Sequence, residues 1–352
     1  MGLGIAIAVG GTPDPDLATA SLVEVYERMG EMTTYRLIYN FDSQEGDFPL
    51  LADGRLDAGS ELAVIAPLGG RNNYLVKGPV TGQQIHFAHG GAGSYVEVYG
   101  ADTSVAMDRE THTAVWSDLT DSEAVSQILQ NYGYTLDVAS TQAGHFESKH
   151  TLAQRDSDLR FVRRLARRNG FSFWISCDEA GIESAHFKRP VLDGNPAGDL
   201  TINLGSNNID SVDITWDVER PSSVVAGQLD LNTKSDIDGA VAQSPLIPLG
   251  TKGFNAIASG ARSIHILAPA DDTGDLQSRG EAALIEAGWF IRANCRTTVN
   301  ALNSIVRAYT IMNLRGLGTR HSGKYFVSGV RHNIDATGHS MDVELIRNGW
   351  GN

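Results

Sequence analysis

Chemistry is sought first in the histidines, cysteines, carboxylates and glycine-rich stretches. The ten histidines are dispersed along the chain. His145 and His150 are five apart, which is neither an HExxH pair nor accompanied by an acid in the usual place. His86 and His89 fall at the end of a strand and in a loop, in "IHFAHGGAGSY", and His332 lies beside a strand in "GVRHNID". No clustered ligand set is visible, so each reads as a structural histidine and no metal is expected. Cys177 and Cys295 are far apart, without metal or disulfide-framework spacing. The glycines of "HGGAGSY" and "RGLGTRHSG" read as turns, because neither stretch opens a helix after a strand as a phosphate loop does. No G-x-S-x-G elbow occurs. With 42 acidic residues, any carboxylate pair chosen for glycosidase work would be arbitrary. Neither a catalytic constellation nor a cofactor site is expected.

The strongest local concentration of charge is "TLAQRDSDLRFVRRLARRNGFSFWI", Thr151 to Ile175. Asp156 or Ser157 caps a helix whose apolar stripe is Leu159, Val162, Leu165 and Ala166, with Phe161 beside Leu165. Arg160, Arg163, Arg164, Arg167 and Arg168 occupy the remainder, the last two where cations suit the helix dipole. Gly170 fits the position that needs positive φ, and Phe171 to Ile175 leave as a strand. The arginine face is therefore either solvated with local salt bridges or paired to carboxylates at a protein interface. The formal net charge of -14 argues against a general nucleic-acid binder. The strand that follows argues against a membrane-surface helix.

These segments need a scaffold, and the periodicities supply one. With 352 residues, of which 41% are hydrophobic and 20% charged, a sizeable core is available. Residues 17 to 115 alternate as strands, from "SLVEVYER" through "TTYRLIYNFD", "ELAVIAP" and "YLVKGPVTGQQIHFA" to "SYVEVYGAD". The short strand spacing suggests a small barrel or sandwich. The period turns helical at "SDLTDSEAVSQILQNYG", with Thr120 or Asp121 as N-cap and Gly133 as stop. Strand period returns from Thr201, notably at "NNIDSVDITWDVERP". Residues 233 to 272 read as a loop-rich excursion, followed by a helix in "TGDLQSRGEAALIEAGWFIRANC" whose stripe reaches Phe290 or Ile291. Strands close the chain. The expected class is mainly β with an α+β insert: a β-barrel domain over 1–116, an α/β insert over 117–200 and a second barrel domain over 201–352, with its excursion at about 233–294. The apolar N-terminus "MGLGIAIAVGG" lacks a signal peptide's basic region and reads as a strand. No run reaches the ~20 apolar residues of a membrane span. A soluble protein, made in the cytoplasm without a membrane anchor, is expected.

"TDSEAVSQILQNYGYTLDV" followed by the arginine segment resembles the phage late control protein D family, the baseplate hub proteins of contractile tails, and is similar to the hub half of type VI secretion spike proteins. The residues that carry the resemblance are Gln154, Asp156, Asp158, Leu159, Phe161, Arg164, Leu165, Ala166, Gly170, Phe171, Phe173 and Trp174. It covers roughly residues 95 to 190 and the last thirty. It implies two tail-tube-like barrels per chain and assembly as a homotrimer. Three chains would then offer six similar units, matching a six-fold tail tube above and a three-fold spike below. It also implies partners: a separate spike protein, since no further domain follows Asn352, the tail tube protein and other baseplate proteins. DNA or protein cargo would pass through the lumen of a virion tail or tail-like particle. The lumen is expected to be acidic, with Glu24, Asp213, Asp217, Asp342 and Glu344 as candidate wall residues. Strand alternation puts Asp213 with Asp217, and Asp342 with Glu344, on one face. The arginines of residues 160 to 168 would lie outside it. Two other readings stay open: a soluble carbohydrate- or protein-binding module, which an exposed aromatic groove would favour, and a baseplate-associated peptidoglycan hydrolase, which a catalytic constellation would favour.

Overall fold

The computed structural model describes residues 4–41, 49–52, 54–89, 91–148, 151–230, 234–258, 260, 262–267 and 273–351. The fold is mainly β. Its first part supplies β1 (Ala6–Val9), β2 (Leu22–Arg28), β3 (Thr34–Phe41), β4 (Glu61–Leu68), β5 (Arg71–His86) and β6 (Ser94–Ala101). An α/β segment follows, with α1 (Asp121–Gln130), β7 (Thr135–Val138), α2 (Asp158–Arg168), β8 (Ser172–Cys177) and β9 (Glu183–Lys188). Then come β10 (Asp199–Thr201), β11 (Val212–Trp216), β12 (Ser223–Asp230), β13 (Ser235–Asp238) and β14 (Ser263–Leu267). The chain closes with α3 (Thr273–Gly288), β15 (Ile291–Thr298), β16 (Ile311–Arg315), β17 (Gly323–Asp335) and β18 (Gly338–Arg347).

One large sheet joins both ends of the chain in the order β11-β15-β18-β17-β2-β3-β6-β5-β4-β1. β16 pairs with β17, and β10 pairs with β16. The two halves meet where β2 and β17 run antiparallel, from Arg28 opposite Gly329 to Leu22 opposite Asp335. Two long strands let the sheet curl. β5 pairs with β4 through Pro79 and with β6 from Val80, with a register shift between Val80 and Gly82. β17 pairs with β16 near its start and with β2 from Gly329, and it has its own shift between Val327 and Gly329. Such irregularities bend a strand and increase its twist, which is what wrapping a core requires. The first core gathers Ile7, Val23, Leu37, Leu62 and Val96, and the second Ile291, Val327, Val330, Val343 and Leu345. Ile305 packs against both.

The α/β segment has its own core. α1 starts at a full capping box, with Thr120 and Glu123 satisfying each other's amides. In α2, Ser157 is the N-cap, accepting from the Arg160 amide at 3.4 Å. Leu159, Phe161, Val162 and Leu165 pack with Phe173 and Ile175 of β8, as their helical spacing predicts. Burying each of these large side chains stabilises by about 1.5–3 kcal/mol. Gly170 ends the turn at φ +66°, and a Cβ there would lie 2.6 Å from Ile285 Cδ1 and 3.1 Å from Ala282 Cα. The glycine thus serves both the turn and a close approach of α2 to α3.

The excursion is loop-rich among its described residues, but two short strands within it, β13 and β14, join β12 in a sheet in which β12 and β14 run parallel, and α3 covers that sheet through Leu276 and Leu284 against Val224 and Ala226. The helix also stops earlier than expected, at Gly288. Ile291 begins a strand with strict buried/exposed alternation to Thr298, so the period of two outweighs the helical stripe there.

Candidate functional site

The large sheet presents one polar face. Register places Glu24 opposite Arg36 and Asn333, Arg331 opposite Asp342, Asp342 opposite Arg296, and Asn294 opposite both Glu344 and Asp213. Glu24, Asp213, Asp342 and Glu344 therefore share a face, while Val23, Val25, Leu37 and Val343 point from the other side into the cores. Asp217 follows one residue past the end of β11, its amide bonded to the Phe290 carbonyl at 2.9 Å and its carboxylate 3.5 Å from Arg220.

The face is not an acidic wall. Arginines stand between its carboxylates. Arg36 reaches Glu24 at 2.7 Å and Glu97 at 2.6 Å, and Arg296 meets Asp342 at 2.5 and 3.0 Å. Glu344 accepts from Tyr26 Oη at 2.8 Å, with Arg28 at 4.0 Å. The Arg331 guanidinium lies over the Tyr26 ring at 5.0 Å. Hydrogen bonds from Arg36 and Tyr99 hold the Glu97 carboxyl below the usual range, and Arg296 does the same for Asp342. Sequence counting missed this balance because the arginines come from strands distant in the chain.

The arginine helix is paired within the chain. Arg160 lies 3.1 Å from Asp108, Arg163 3.7 Å from Glu31 and Arg164 3.4 Å from Asp156. Arg168 binds Asp121, which is buried and also accepts from His145 at 2.8 Å and Asn169 at 2.7 Å. Burial alone would raise the Asp121 pKa, but these donors together hold it below its ordinary value. Arg167 is exposed, and its guanidinium makes no hydrogen bond or ion pair among the described residues.

The remaining motif residues build the scaffold. Gln154 accepts from Trp116 Nε1 at 3.2 Å and donates to Asp158 at 2.6 Å, and Asp158 accepts from Tyr132 at 2.8 Å. Phe171 meets Phe187 edge-on at 5.2 Å. Trp174 is sandwiched between Tyr309, 3.8 Å away with planes 8° apart, and His186 at 4.5 Å, so it ties the α/β segment to the C-terminal half.

A buried charged knot escaped the sequence. Glu27 on β2 bonds Arg307 and accepts from the Ala308 amide at 2.8 Å, while Arg307 donates to the Tyr74 carbonyl at 2.8 Å. His332 lies 3.8 Å from Glu27, and its other ring nitrogen is 3.0 Å from His339. Burial would raise the Glu27 pKa, yet Arg307 and His332 hold it below its ordinary value. This knot lies on the junction of the halves.

Of the other histidines, His86 stacks on Tyr95 at 5.1 Å, and His150 is outside the described residues. Among the described residues no three His, Cys, Asp or Glu side chains are grouped to hold a metal. Burial pushes the Cys177 and Cys295 thiols up to about 12, which leaves them protonated and unreactive at neutral pH. No helix among the described residues is long and apolar enough to cross a membrane.

No curated protein matches the chain in sequence. Among solved structures it resembles the tail protein from Neisseria meningitidis MC58, with a TM-score of 0.69 at 12% identity, covering 98% of this chain and 96% of that one. It is equally similar to the 43 kDa tail protein of prophage MuSo2 from Shewanella oneidensis, with a TM-score of 0.69 at 13% identity and 98% of each chain covered. A third likeness, with a TM-score of 0.60 at 13% identity, is to the E. coli c3393 protein, a component of the type VI secretion system; it covers 98% of this chain and 79% of that one. The fold is thus one found in phage tail proteins and in a type VI secretion component. The model of one family, described as the Alg8 N-terminal domain, matches residues 3–336, and the chain belongs to that family.

Proposed function

We propose that the protein is a structural hub of a contractile phage tail or tail-like injection machine, of the late control protein D kind, and that it works as a homotrimer without catalysis. One observation carries the reading. Four strands from each half, β11, β15, β18 and β17 with β2, β3, β6 and β5, form a continuous antiparallel array with one polar face and two open edges. Among the described residues, the outer side of β11 pairs with no strand, and neither does the side of β5 from Gly82 to His86 that faces away from β6. Open edges are templates for pairing with another chain. Both carry exposed apolar side chains, Trp216 on one and Ile85 with the adjoining Phe87 on the other, which burial at a subunit contact would remove from water.

Pairing β11 of one copy with β5 of the next is head-to-tail, and such contacts form a closed ring when the rotation closes. Three copies would give six half-units around one channel, with the polar face inward. A separate spike protein below, the tube protein above and other baseplate proteins around it are the partners in this reading. The charge-balanced face suits passage of cargo, DNA or protein: it offers water-bound polar groups without a surplus of either sign to grip a charged chain. The barrels would be residues 1–116 and 201–352, with the α/β domain of 117–200 outside the channel, together with the arginines of α2. The particle made in a bacterial cytoplasm would carry the protein in its tail. Light scattering on the protein with its spike partner should give three copies, and purified cell wall should stay intact in a zymogram. Clearing of the wall, or a protein that stays monomeric and binds neither spike nor tube, would refute the reading.

A further inference from the structure

The turn that ends α2 meets α3 where Gly170 approaches Ala282 and Ile285, and two clefts lie beside this contact. The first, about 390 Å³, is lined by Met29, Phe171, Phe173, Ile285 and Trp289, with the Arg163–Glu31 pair, Arg167 and Glu286 at its charged side. The second, about 680 Å³, is lined by Arg164, Arg167, Arg168 and Arg279, with His145 beside them and Glu286 as its one carboxylate among the described residues. Arg167, Ala282 and Glu286 line both, so the two clefts adjoin as neighbouring parts of one surface groove, the first holding the large apolar side chains and the second the arginine cluster.

We propose that this groove docks an acidic peptide segment of a partner protein, seating an aromatic or leucine side chain in the apolar part and its carboxylates along the arginines. The charge distribution is the first reason. In a chain of net charge -14, four guanidiniums converge on a cleft with one facing carboxylate. Arg168 is engaged by Asp121, Arg279 by Asp275 at 3.1 Å and Arg164 by Asp156, and all three of those carboxylates lie outside the cleft lining. The guanidinium of Arg167, which lines both parts of the groove, has no partner among the described residues, and guanidinium favours two-point binding of carboxylate. The apolar part is the second reason. A nucleic-acid backbone has no apolar knob to fill it and would meet repulsion from the rest of the acidic chain. A short acidic segment with one large apolar residue satisfies both parts, as anchor-and-charge docking motifs do.

The test is fluorescence anisotropy of a labelled peptide, one phenylalanine followed by four alternating aspartates and glutamates, titrated with the full chain. Saturable binding is expected, weakening with salt. R167E should weaken it about tenfold or more and E286K should tighten it several-fold, because the two changes alter the groove's charge in opposite directions. Replacing the peptide's phenylalanine by serine should cost about tenfold. Both protein positions are exposed, and unchanged thermal melting of the variants confirms that folding is not the cause. Absence of saturable binding overturns the proposal. So does binding that R167E and E286K leave unchanged or move in the same direction, or a single-stranded oligonucleotide of equal charge that competes as well as the peptide. None of these outcomes depends on whether the protein forms a trimer.

Discussion

Arg296 and Asp342 stand directly opposite each other on neighbouring strands and close a two-point ion pair, at 2.5 and 3.0 Å. The pair shows how the polar face of the sheet is built: a carboxylate on one strand is answered by a guanidinium on the next. Arg36, between Glu24 and Glu97, is the most connected of these residues. Replacing it by alanine leaves two carboxylates facing each other without a cation. Arg36→Ala should lower unfolding free energy by about 1 kcal/mol, the upper range for partly exposed pairs, and 0.5 M salt should shrink the loss. Urea denaturation at two salt concentrations measures both.

The α2 turn should tolerate little change. Leu165 is fully buried, so Leu165→Ala is expected to cost about 2–5 kcal/mol. Gly170→Val combines a disfavoured φ with a clash against Ile285 and Ala282, and should lower the melting temperature more than Gly170→Ala. Unchanged melting of all three variants would contradict the helix–turn–strand packing.

Acid should loosen the junction of the halves in a defined window. Burial, reinforced by His332, depresses the His339 pKa from its ordinary 6.5 to about 3, and burial depresses His332 as well. A depressed folded pKa means that the unfolded chain takes up the proton first. The stability these rings contribute is therefore full above pH 6.5 and is lost as pH falls toward 3. Glu27, depressed below 4.5, adds a further loss at still lower pH. The urea midpoint should fall between pH 7 and pH 5, and His339→Asn should flatten that slope.

The open edges should control association without controlling folding. Trp216 and Phe87 are 52% and 65% exposed in the single chain, so Trp216→Asp and Phe87→Asp should leave thermal melting of the monomer almost unchanged. Each should instead reduce oligomer formation in sedimentation velocity. Loss of melting temperature without loss of association would place these residues in the folding core instead.

What could be read from the sequence was local. The α2 segment shows itself through helical spacing from Leu159 to Leu165, a serine cap and a glycine that must adopt positive φ, and all three signals lie within fifteen residues of one another. The same holds for the alternation that puts Asp342 and Glu344 on one face. The unit made by β12, β13, β14 and α3 was hidden because its parallel pairing joins Ser223 to Ser263 across glycine- and proline-broken chain, where no short-range period survives. Charge balance on the sheet was hidden for a related reason. Arg296 reaches Asp342 across 46 residues and Arg307 reaches Glu27 across 280, and only strand order reveals such partners.

The most direct test of the hub reading is native mass spectrometry of the protein reconstituted with its spike partner, compared with the Trp216→Asp variant. The expected result is a complex holding three copies of the chain for the unaltered protein, and monomers for the variant. A complex with two, four or six copies, or a trimer that the Trp216→Asp change leaves intact, would contradict a ring closed through the open edges of β11 and β5.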